Sequence, residues 1–180
     1  MINNLDQQLY LFLAENRNDF WTAVFSSFSF LGNWQFIVVT MLAIIIFLII
    51  KKKLYFIAPL ILSVISSETI TFWGKWYFNR PRPLVSVFVE TGFSFPSGHA
   101  TIAVAFYVFL AFMFLRLNKG KYSIWVYSFA VFIALMIGFS RLYLGAHYLS
   151  DVLVGYVVGF LGVMAGVRLA DKLKSRKGVL

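Results

Sequence analysis

Residues 20–50 read FWTAVFSSFSFLGNWQFIVVTMLAIIIFLII and contain no charged side chain. An α-helix rises about 1.5 Å per residue, so this stretch is longer than the roughly 30 Å hydrocarbon core of a bilayer requires. We therefore expect a break at Gly32 and Asn33. Residues 34–50 would then cross the membrane, and residues 20–31 would lie in its interface or re-enter it.

The composition of the whole chain supports a membrane protein. Of its 180 residues, 61% are hydrophobic and 13% are charged, and the mean hydropathy is +0.82. These values exclude a soluble globular domain, a disordered chain and a collagen-like fibre. The chain has no cysteine, which excludes disulfides and cysteine-based zinc sites. Its two histidines leave little room for a histidine-rich metal site.

Four further apolar segments predict membrane-spanning helices, at residues 54–73, 97–115, 122–140 and 146–169. Before residue 20, four apolar side chains recur at helical spacing and predict a short amphipathic helix on the membrane surface: Leu5, Leu9, Phe12 and Leu13. The expected fold is an all-α integral membrane bundle of five to six spans, forming one domain over residues 1–180. Within it we expect an interfacial segment (1–33), the transmembrane bundle (34–170) and a basic, frayed cytoplasmic tail (171–180).

The basic residues predict the orientation of the bundle. Of the 16 Lys and Arg residues, 11 fall on one side of the predicted spans: Lys51, Lys52, Lys53, Arg116, Lys119, Lys121, Arg168, Lys172, Lys174, Arg176 and Lys177. The positive-inside rule places that side in the cytoplasm, together with the C-terminus. This distribution accounts for the net charge of +9 without a nucleic-acid partner.

The last predicted span carries two GxxxG pairs, Gly155 with Gly159 and Gly162 with Gly166. Such pairs allow helices to approach closely, either within the bundle or at a dimer interface. We expect packing within the bundle, and the sequence makes no prediction of the oligomeric state.

Three polar segments fall on the opposite, extracytoplasmic side. They read KWYFNRPRP at residues 75–83, PSGH at residues 96–99 and SRLYLGAHYLSD at residues 140–151. No predicted span separates the first from the second, and two separate the second from the third, so all three share one side. Charged groups in a bilayer are costly and usually functional, so these segments predict a pocket.

The pocket offers the chemistry of an anion site. Lys75, Arg82 and Arg141 supply three cations, two of them guanidinium groups suited to phosphate oxygens. The PSGH segment predicts a helix start whose free N–H groups, with the Ser97 hydroxyl, bind an anion.

Two histidines and a carboxylate accompany these cations. His147 and Asp151 are four residues apart, so they share a helix face if the fifth span begins by His147. The carboxylate would then hold the imidazole in one tautomer, as in a catalytic triad. His99 remains as a proton donor or acceptor. An anion site with two histidines and no evident metal ligands indicates phosphoryl transfer through a phosphohistidine.

Taken together, the three segments resemble the signature of the type 2 phosphatidic acid phosphatase family, within the phosphatase–haloperoxidase superfamily. That signature is K-x6-RP, then PSGH, then SR-x5-H-x3-D, and the chain matches it at every position. The resemblance implies a metal-independent phosphatase without cofactors, whose pocket accepts vanadate. It implies His147 as the nucleophile, Asp151 as its orienting partner and His99 as the acid that protonates the leaving group. It assigns phosphate binding to Lys75, Arg82, Ser97, Gly98, Ser140 and Arg141.

The substrate is expected to be a lipid phosphate or pyrophosphate drawn from the membrane. An outward-facing site in a small bacterial-type protein favours undecaprenyl pyrophosphate; phosphatidylglycerol phosphate, phosphatidic acid and lipid A 1-phosphate stay open. Other interpretations are a lipid phosphotransferase using the same intermediate, a vanadium haloperoxidase and a non-catalytic lipid-phosphate binder. The apolar spans argue against the haloperoxidase, because those enzymes are soluble, and the two histidines argue against the binder.

Four other features lie outside the matched signature. We interpret Arg80 as a headgroup or rim contact and Arg17 as a solvated surface residue. Glu68 is expected to be an interior carboxylate that is hydrogen-bonded to other spans. The alternative is that Glu68 positions Lys75, which lies two helical turns away on nearly the same face. The apolar loop at residues 84–95 would dip into the outer leaflet and admit a lipid headgroup sideways.

Overall fold

Eight α-helices form the described part of the chain, residues 3–120 and 122–176 of a computed structural model, and this part contains no β-strand. The helices are α1 (Asn4–Glu15), α2 (Asp19–Leu31), α3 (Trp34–Ile50), α4 (Ile57–Phe78), α5 (Gly98–Ala103), α6 (Phe109–Leu117), α7 (Ser123–Tyr143) and α8 (Leu149–Arg176). A 3-10 turn (Leu54–Phe56) leads into α4, and a π-helical segment (Val104–Val108) joins α5 to α6. The predicted all-α membrane bundle is confirmed.

Asparagine side chains set where the first three helices begin. Asn3, Asn18 and Asn33 each accept a hydrogen bond from a backbone N–H in the first turn of α1, α2 and α3. At the predicted break between α2 and α3 the helix axis bends by 46°. Within the described residues four helices are long and apolar enough to span a membrane, or five if the bent pair is one span.

Two of the predicted span boundaries are wrong. Helix α4 continues past residue 73 to Phe78 and ends at Asn79, whose φ of 45° is left-handed. Helix α8 begins at Leu149 and continues to Arg176, so the tail expected to be frayed is helical that far. Lysine, leucine and arginine in this stretch are good helix formers. Residues 177–180 and Lys121 lie outside the described residues.

The glycine stripe of α8 packs inside the bundle, as expected. Helix α8 packs most extensively against α4 and next against α5. A Cβ at Gly162 would lie 2.4 Å from the carbonyl oxygen of Ser63, and one at Gly155 would lie 2.7 Å from that of Ser97. Only glycine permits this approach, which brings the start of α5 against the start of α8.

Helix α1 forms as predicted, but it buries only part of the predicted apolar face. Leu13 packs with Leu142 of α7 in a small apolar cluster, whereas Leu5 and Phe12 are 58% and 60% exposed. The side chain turned most completely inward is Asp6, at 1% exposure. The apolar spacing did not reveal this, because the partners of Asp6 come from distant parts of the chain.

Candidate active site

The three motif segments meet at one end of the bundle, here called the site end. Helix α4 finishes there with Lys75 in its last turn, and α5 begins there after Ser97. Helix α7 finishes there with Arg141 in its last turn. His147 lies in the loop that follows, and Asp151 lies in the first turn of α8. The topology therefore brings the predicted site residues together.

His147 precedes α8, so the expected placement of His147 and Asp151 on one helix face is wrong. The two side chains nevertheless meet, with Nδ1 of His147 3.4 Å from Oδ2 of Asp151. This contact is not aligned as a hydrogen bond, and Nδ1 has no hydrogen-bond partner in the described part of the chain. Oδ2 also accepts the backbone N–H of Tyr148 at 2.9 Å, which fixes the carboxylate beside the loop that carries His147.

The surroundings of His147 determine which ring nitrogen carries the proton and whether the imidazole is charged. Its Nε2 lies 3.4 Å from Nη1 of Arg82. A guanidinium group only donates, so Nε2 presents its lone pair and the proton resides on Nδ1, facing Asp151. Burial lowers the pKa of His147 to about 4; the Asp151 carboxylate opposes this shift, and the positive charges of Arg141, Arg82 and Lys75 add to it. The imidazole is therefore neutral at pH 7, as a nucleophile must be.

Two of the predicted phosphate-binding cations are held by backbone carbonyls. Nζ of Lys75 donates to the carbonyl of Phe93 at 2.7 Å. Arg82 donates to the carbonyls of residues 91–92 at 3.2 and 3.1 Å, and to that of Ala146 at 3.0 Å. Both cations therefore bind the α4–α5 loop in this conformation.

Glu90 lies between the two guanidinium groups, where the sequence predicted a phosphate. Nη2 of Arg141 donates to Oε1 of Glu90, and Nη1 of Arg82 lies 3.7 Å from Oε2. Burial acts to raise the pKa of Glu90, but Arg141 and Arg82 hold it below the ordinary value. Nη1 of Arg141 also donates to Oγ of Ser29 at 2.6 Å. The sequence motifs do not include Glu90, although it is the one acidic residue in the apolar loop 84–95.

The two predicted serine ligands are buried and engaged with the chain. Oγ of Ser97 accepts from the backbone N–H of Ala100 at 3.4 Å, and the Ser97 N–H donates to the Asp151 carbonyl at 3.0 Å. Oγ of Ser140 donates to the carbonyl of Ile137 at 2.6 Å. Ser97 thus joins α5 to α8, and Ser140 uses its hydroxyl proton within α7.

Gly98 and His99 open α5 beside two other elements. A Cβ at Gly98 would lie 3.9 Å from Oε2 of Glu68. A Cβ at Gly32 would lie 3.2 Å from Cδ2 of His99, so the α2–α3 break borders this histidine.

The structure contradicts three of the predictions made for residues outside the signature. Arg80 is 6% exposed and contacts side chains of α1 and α8, so it is not a rim contact. Arg17 donates to the carbonyls of Tyr143 (2.7 Å) and Val85 (3.1 Å), so it links the N-terminal segment to the end of α7 and to the α4–α5 loop. Oε1 of Glu68 is buried without a hydrogen-bond partner among the described residues, contrary to the expected bonds to other spans.

A cavity and exposed apolar side chains adjoin the site. A cavity of about 240 Å³ is lined by residues that include Arg82, Glu90 and Ala146. Beside it, Leu84 and Val89 are 96% and 98% exposed. Such exposure suits a loop that faces lipid.

A family model described as the PAP2 superfamily matches residues 56–175 of the chain. Phosphatidylglycerophosphatase B of Bacillus subtilis is 40% identical over 92 residues, which cover 48% of this chain and 44% of the relative. Lipid A 4'-phosphatase of Bacteroides thetaiotaomicron is 29% identical over 194 residues, covering 97% of this chain and 81% of the relative. Undecaprenyl-diphosphatase of Sulfolobus acidocaldarius is 28% identical over 104 residues, covering 58% and 46%. The chain thus aligns with less than half the length of the first and third of these relatives.

The fold is also that of a solved membrane phosphatase. The crystal structure of a transmembrane PAP2-type phosphatidylglycerolphosphate phosphatase from Bacillus subtilis superposes with a TM-score of 0.87. The match covers 93% of this chain and 85% of that one, at 26% identity. These proteins are all named as phosphatases, so the predicted family and enzyme class are confirmed at the level of the family.

Proposed function

Because the chain belongs to the PAP2 superfamily, we propose that it is an integral membrane phosphatase that removes the terminal phosphate from a lipid phosphate or pyrophosphate. The observation that carries the proposal is the buried imidazole of His147, set between Arg82 on its Nε2 side and Asp151 on its Nδ1 side. A purely binding site needs the cations but has no use for a nucleophile backed by a carboxylate.

In the first step, the Nε2 lone pair of His147 attacks phosphorus while the bond to the leaving oxygen breaks. The Nδ1 proton stays on the imidazole, whose developing positive charge is stabilised by Asp151. His99 gives its proton to the leaving oxygen. Arg82, Arg141 and Lys75 stabilise the negative charge spread over the equatorial oxygens of the transition state.

In the second step, water attacks the phosphohistidine and gives its proton to His99. The P–N bond breaks, its electron pair returns to Nε2, and inorganic phosphate leaves. His99 thus regains the proton that it lost in the first step, and the enzyme is restored.

The substrate phosphate would replace the Glu90 carboxylate between Arg82 and Arg141. Both guanidinium groups already contact an anionic group there, which supports this position for the phosphate. Arg82 would at the same time leave Nε2 of His147, freeing the lone pair to react.

Lipid chemistry is supported by the apolar surface beside this position. A headgroup would enter through the cavity at Arg82 and Glu90 while the acyl or prenyl chain stays against the exposed loop. Undecaprenyl pyrophosphate is the first candidate, because the basic residues orient the site toward the extracytoplasmic side. The names of the relatives favour phosphatidylglycerol phosphate and lipid A phosphates as the next candidates.

The test is phosphate release by purified protein in detergent with EDTA, across a panel of these lipids and phosphatidic acid. We expect release from at least one lipid, inhibition by vanadate, and a loss of at least about 10⁴-fold in His147→Ala. Gln35→Ala, at an exposed position of α3, is the control and should release phosphate normally. Release that requires a divalent cation would contradict the mechanism. Vanadate binding without release from any lipid would favour a phosphotransferase or a non-catalytic lipid-phosphate binder.

A further inference from the structure

A second charged cluster lies directly behind Asp151. Its other members, Asp6, Arg80 and Ser150, have no role in the proposed mechanism. Nη1 of Arg80 donates to Oδ1 of Asp151 at 2.5 Å and to Oγ of Ser150 at 2.6 Å. Nη2 of the same guanidinium donates to Oδ2 of Asp6 at 2.6 Å. The guanidinium carbon also lies 4.6 Å from the centre of the Tyr148 ring. Arg80 therefore bridges α1 to the first turn of α8.

The two oxygens of Asp151 have separate partners. Oδ1 is bound by Arg80, whereas Oδ2 accepts the Tyr148 N–H and faces Nδ1 of His147. The carboxylate cannot rotate toward or away from the imidazole without breaking the ion pair to Arg80. The orientation of Oδ2 toward His147 thus depends on the group that holds Oδ1.

Asp6 completes the cluster from the N-terminal helix. Its Oδ1 accepts the backbone N–H of Ser150 at 2.9 Å, and its Oδ2 accepts the Ser150 hydroxyl at 2.7 Å as well as Arg80. Burial acts to raise the pKa of Asp6, but the bonds from Ser150 and Arg80 hold it below the ordinary value. Asp6 is therefore an anion at neutral pH and balances the buried charge of Arg80.

Stability alone does not explain this cluster, because burying paired charges contributes little net stability compared with apolar packing. Asp6, Arg80 and Asp151 are 1%, 6% and 0% exposed. Two carboxylates share one guanidinium, and one of them faces the imidazole. The arrangement resembles the outer hydrogen-bonding partners that orient reactive groups in enzymes.

We propose that Arg80 and Asp6 are positioning residues that hold Asp151 against His147, which makes helix α1 part of the active site. This inference rests on the proposed function, in which His147 is the nucleophile. Neither residue would touch the substrate phosphate. Their loss should therefore lower kcat and leave KM and vanadate binding nearly unchanged.

The first experiment compares steady-state kinetics of Arg80→Gln and Asp6→Asn with the wild-type protein. We expect kcat to fall by about 10- to 100-fold, the scale of a reactive group displaced by about 1 Å, with KM changed less than about threefold. Arg80→Lys keeps the charge and should recover part of kcat. Arg168→Gln and Asp19→Asn, at exposed positions away from the site, are the matched controls and should have wild-type kcat.

An effect of Arg80→Gln on KM instead of kcat would overturn the inference. A cavity of about 500 Å³ also borders Arg80, with Asn3, Phe78 and Phe95 among its lining residues. If Arg80 bound a headgroup there, Arg80→Gln would raise KM and leave kcat unchanged. Wild-type kcat in both variants would equally overturn the positioning role.

A second measurement does not depend on turnover. The chain has two histidines, so the imidazole ¹⁵N shifts of His147 can be assigned by comparison with His99→Gln. Because Arg82 also favours the Nδ1–H tautomer, the readout is the Nδ1 proton itself, which faces Asp151. We expect its resonance to move upfield and its exchange with water to speed up in Arg80→Gln and Asp6→Asn. An unchanged Nδ1 proton would overturn the inference, whereas a wild-type protein that releases no phosphate would overturn only the proposed function.

Discussion

His147 is the residue on which the proposed chemistry depends, and its environment sets the pH range of activity. Burial lowers the pKa of its imidazole to about 4, and the positive charges of Arg141, Arg82 and Lys75 add to the shift while Asp151 opposes it. A lowered histidine pKa means that the neutral form persists to more acidic pH than in a free imidazole. The proposed nucleophile is thus neutral through the whole range between about pH 4 and the ordinary histidine value of about 6.5.

We expect an NMR titration of His99→Gln, in which His147 is the remaining histidine, to show a midpoint near pH 4. The acidic limb of kcat/KM in the wild-type protein, which reports the free enzyme, should fall at the same pH. A His147 midpoint near 6.5 would mean that water and counter-ions reach the imidazole, contrary to its 3% exposure.

At the scale of elements, the α4–α5 loop combines the proposed lipid entrance with a carboxylate that lies between the guanidinium groups of the site. Residues 84–95 expose apolar side chains, and Glu90 reaches from the same loop to Arg82 and Arg141. Hydrogen bonds join the loop to α1 and to the residue that follows α7. Val85 donates to Oη of Tyr10 at 2.6 Å, and Val87 donates to the Leu144 carbonyl at 2.9 Å.

Glu90→Gln keeps the shape of the side chain and removes its charge. We expect vanadate affinity to rise and KM to fall by roughly tenfold, about 1.4 kcal/mol, because an anion no longer has to displace a carboxylate. Glu15→Gln, at the exposed end of α1, is the control. Weaker vanadate binding in Glu90→Gln would show instead that Glu90 assists the substrate.

The contact of Glu90 with Arg82 and Arg141 depends on pH. The pKa of Glu90 is held below the ordinary value of 4.5, so the carboxylate is charged at neutral pH. Its ion pairs are complete above about pH 4.5 and are lost as the pH falls through the lowered pKa. The wild-type protein and Glu90→Gln should therefore differ at neutral pH and converge in acid.

At the scale of the whole molecule, the charge distribution predicts which end of the bundle faces the cytoplasm. The chain has no cysteine, so single-cysteine variants report individual positions. We expect a membrane-impermeant maleimide to label Gln8→Cys on intact cells, and Lys119→Cys only after permeabilisation. Gln8 lies on α1 at the site end, and Lys119 lies in the turn between α6 and α7. The reverse pattern would place the site on the cytoplasmic side.

Most of the architecture followed from the sequence by itself. Uncharged stretches of sufficient length predicted the spans, and Gly32 with Asn33 predicted the bend between α2 and α3. The spacing of the three motif segments along the spans predicted that Lys75, His99 and His147 would meet. These features are local or depend only on the number of membrane crossings, so they can be inferred without knowing which side chains touch.

The tertiary structure alone decided which polar groups surround His147 and Asp151. Asp6 and Ser150 are 144 positions apart, and Arg80 and Asp151 are 71 apart. Glu90 reaches Arg141 across 51 positions. No periodicity or spacing encodes such pairs, because they depend on how α1 and the α4–α5 loop dock against α7 and α8. The sequence therefore determined the helices and the composition of the site, while long-range packing determined how its charges are held.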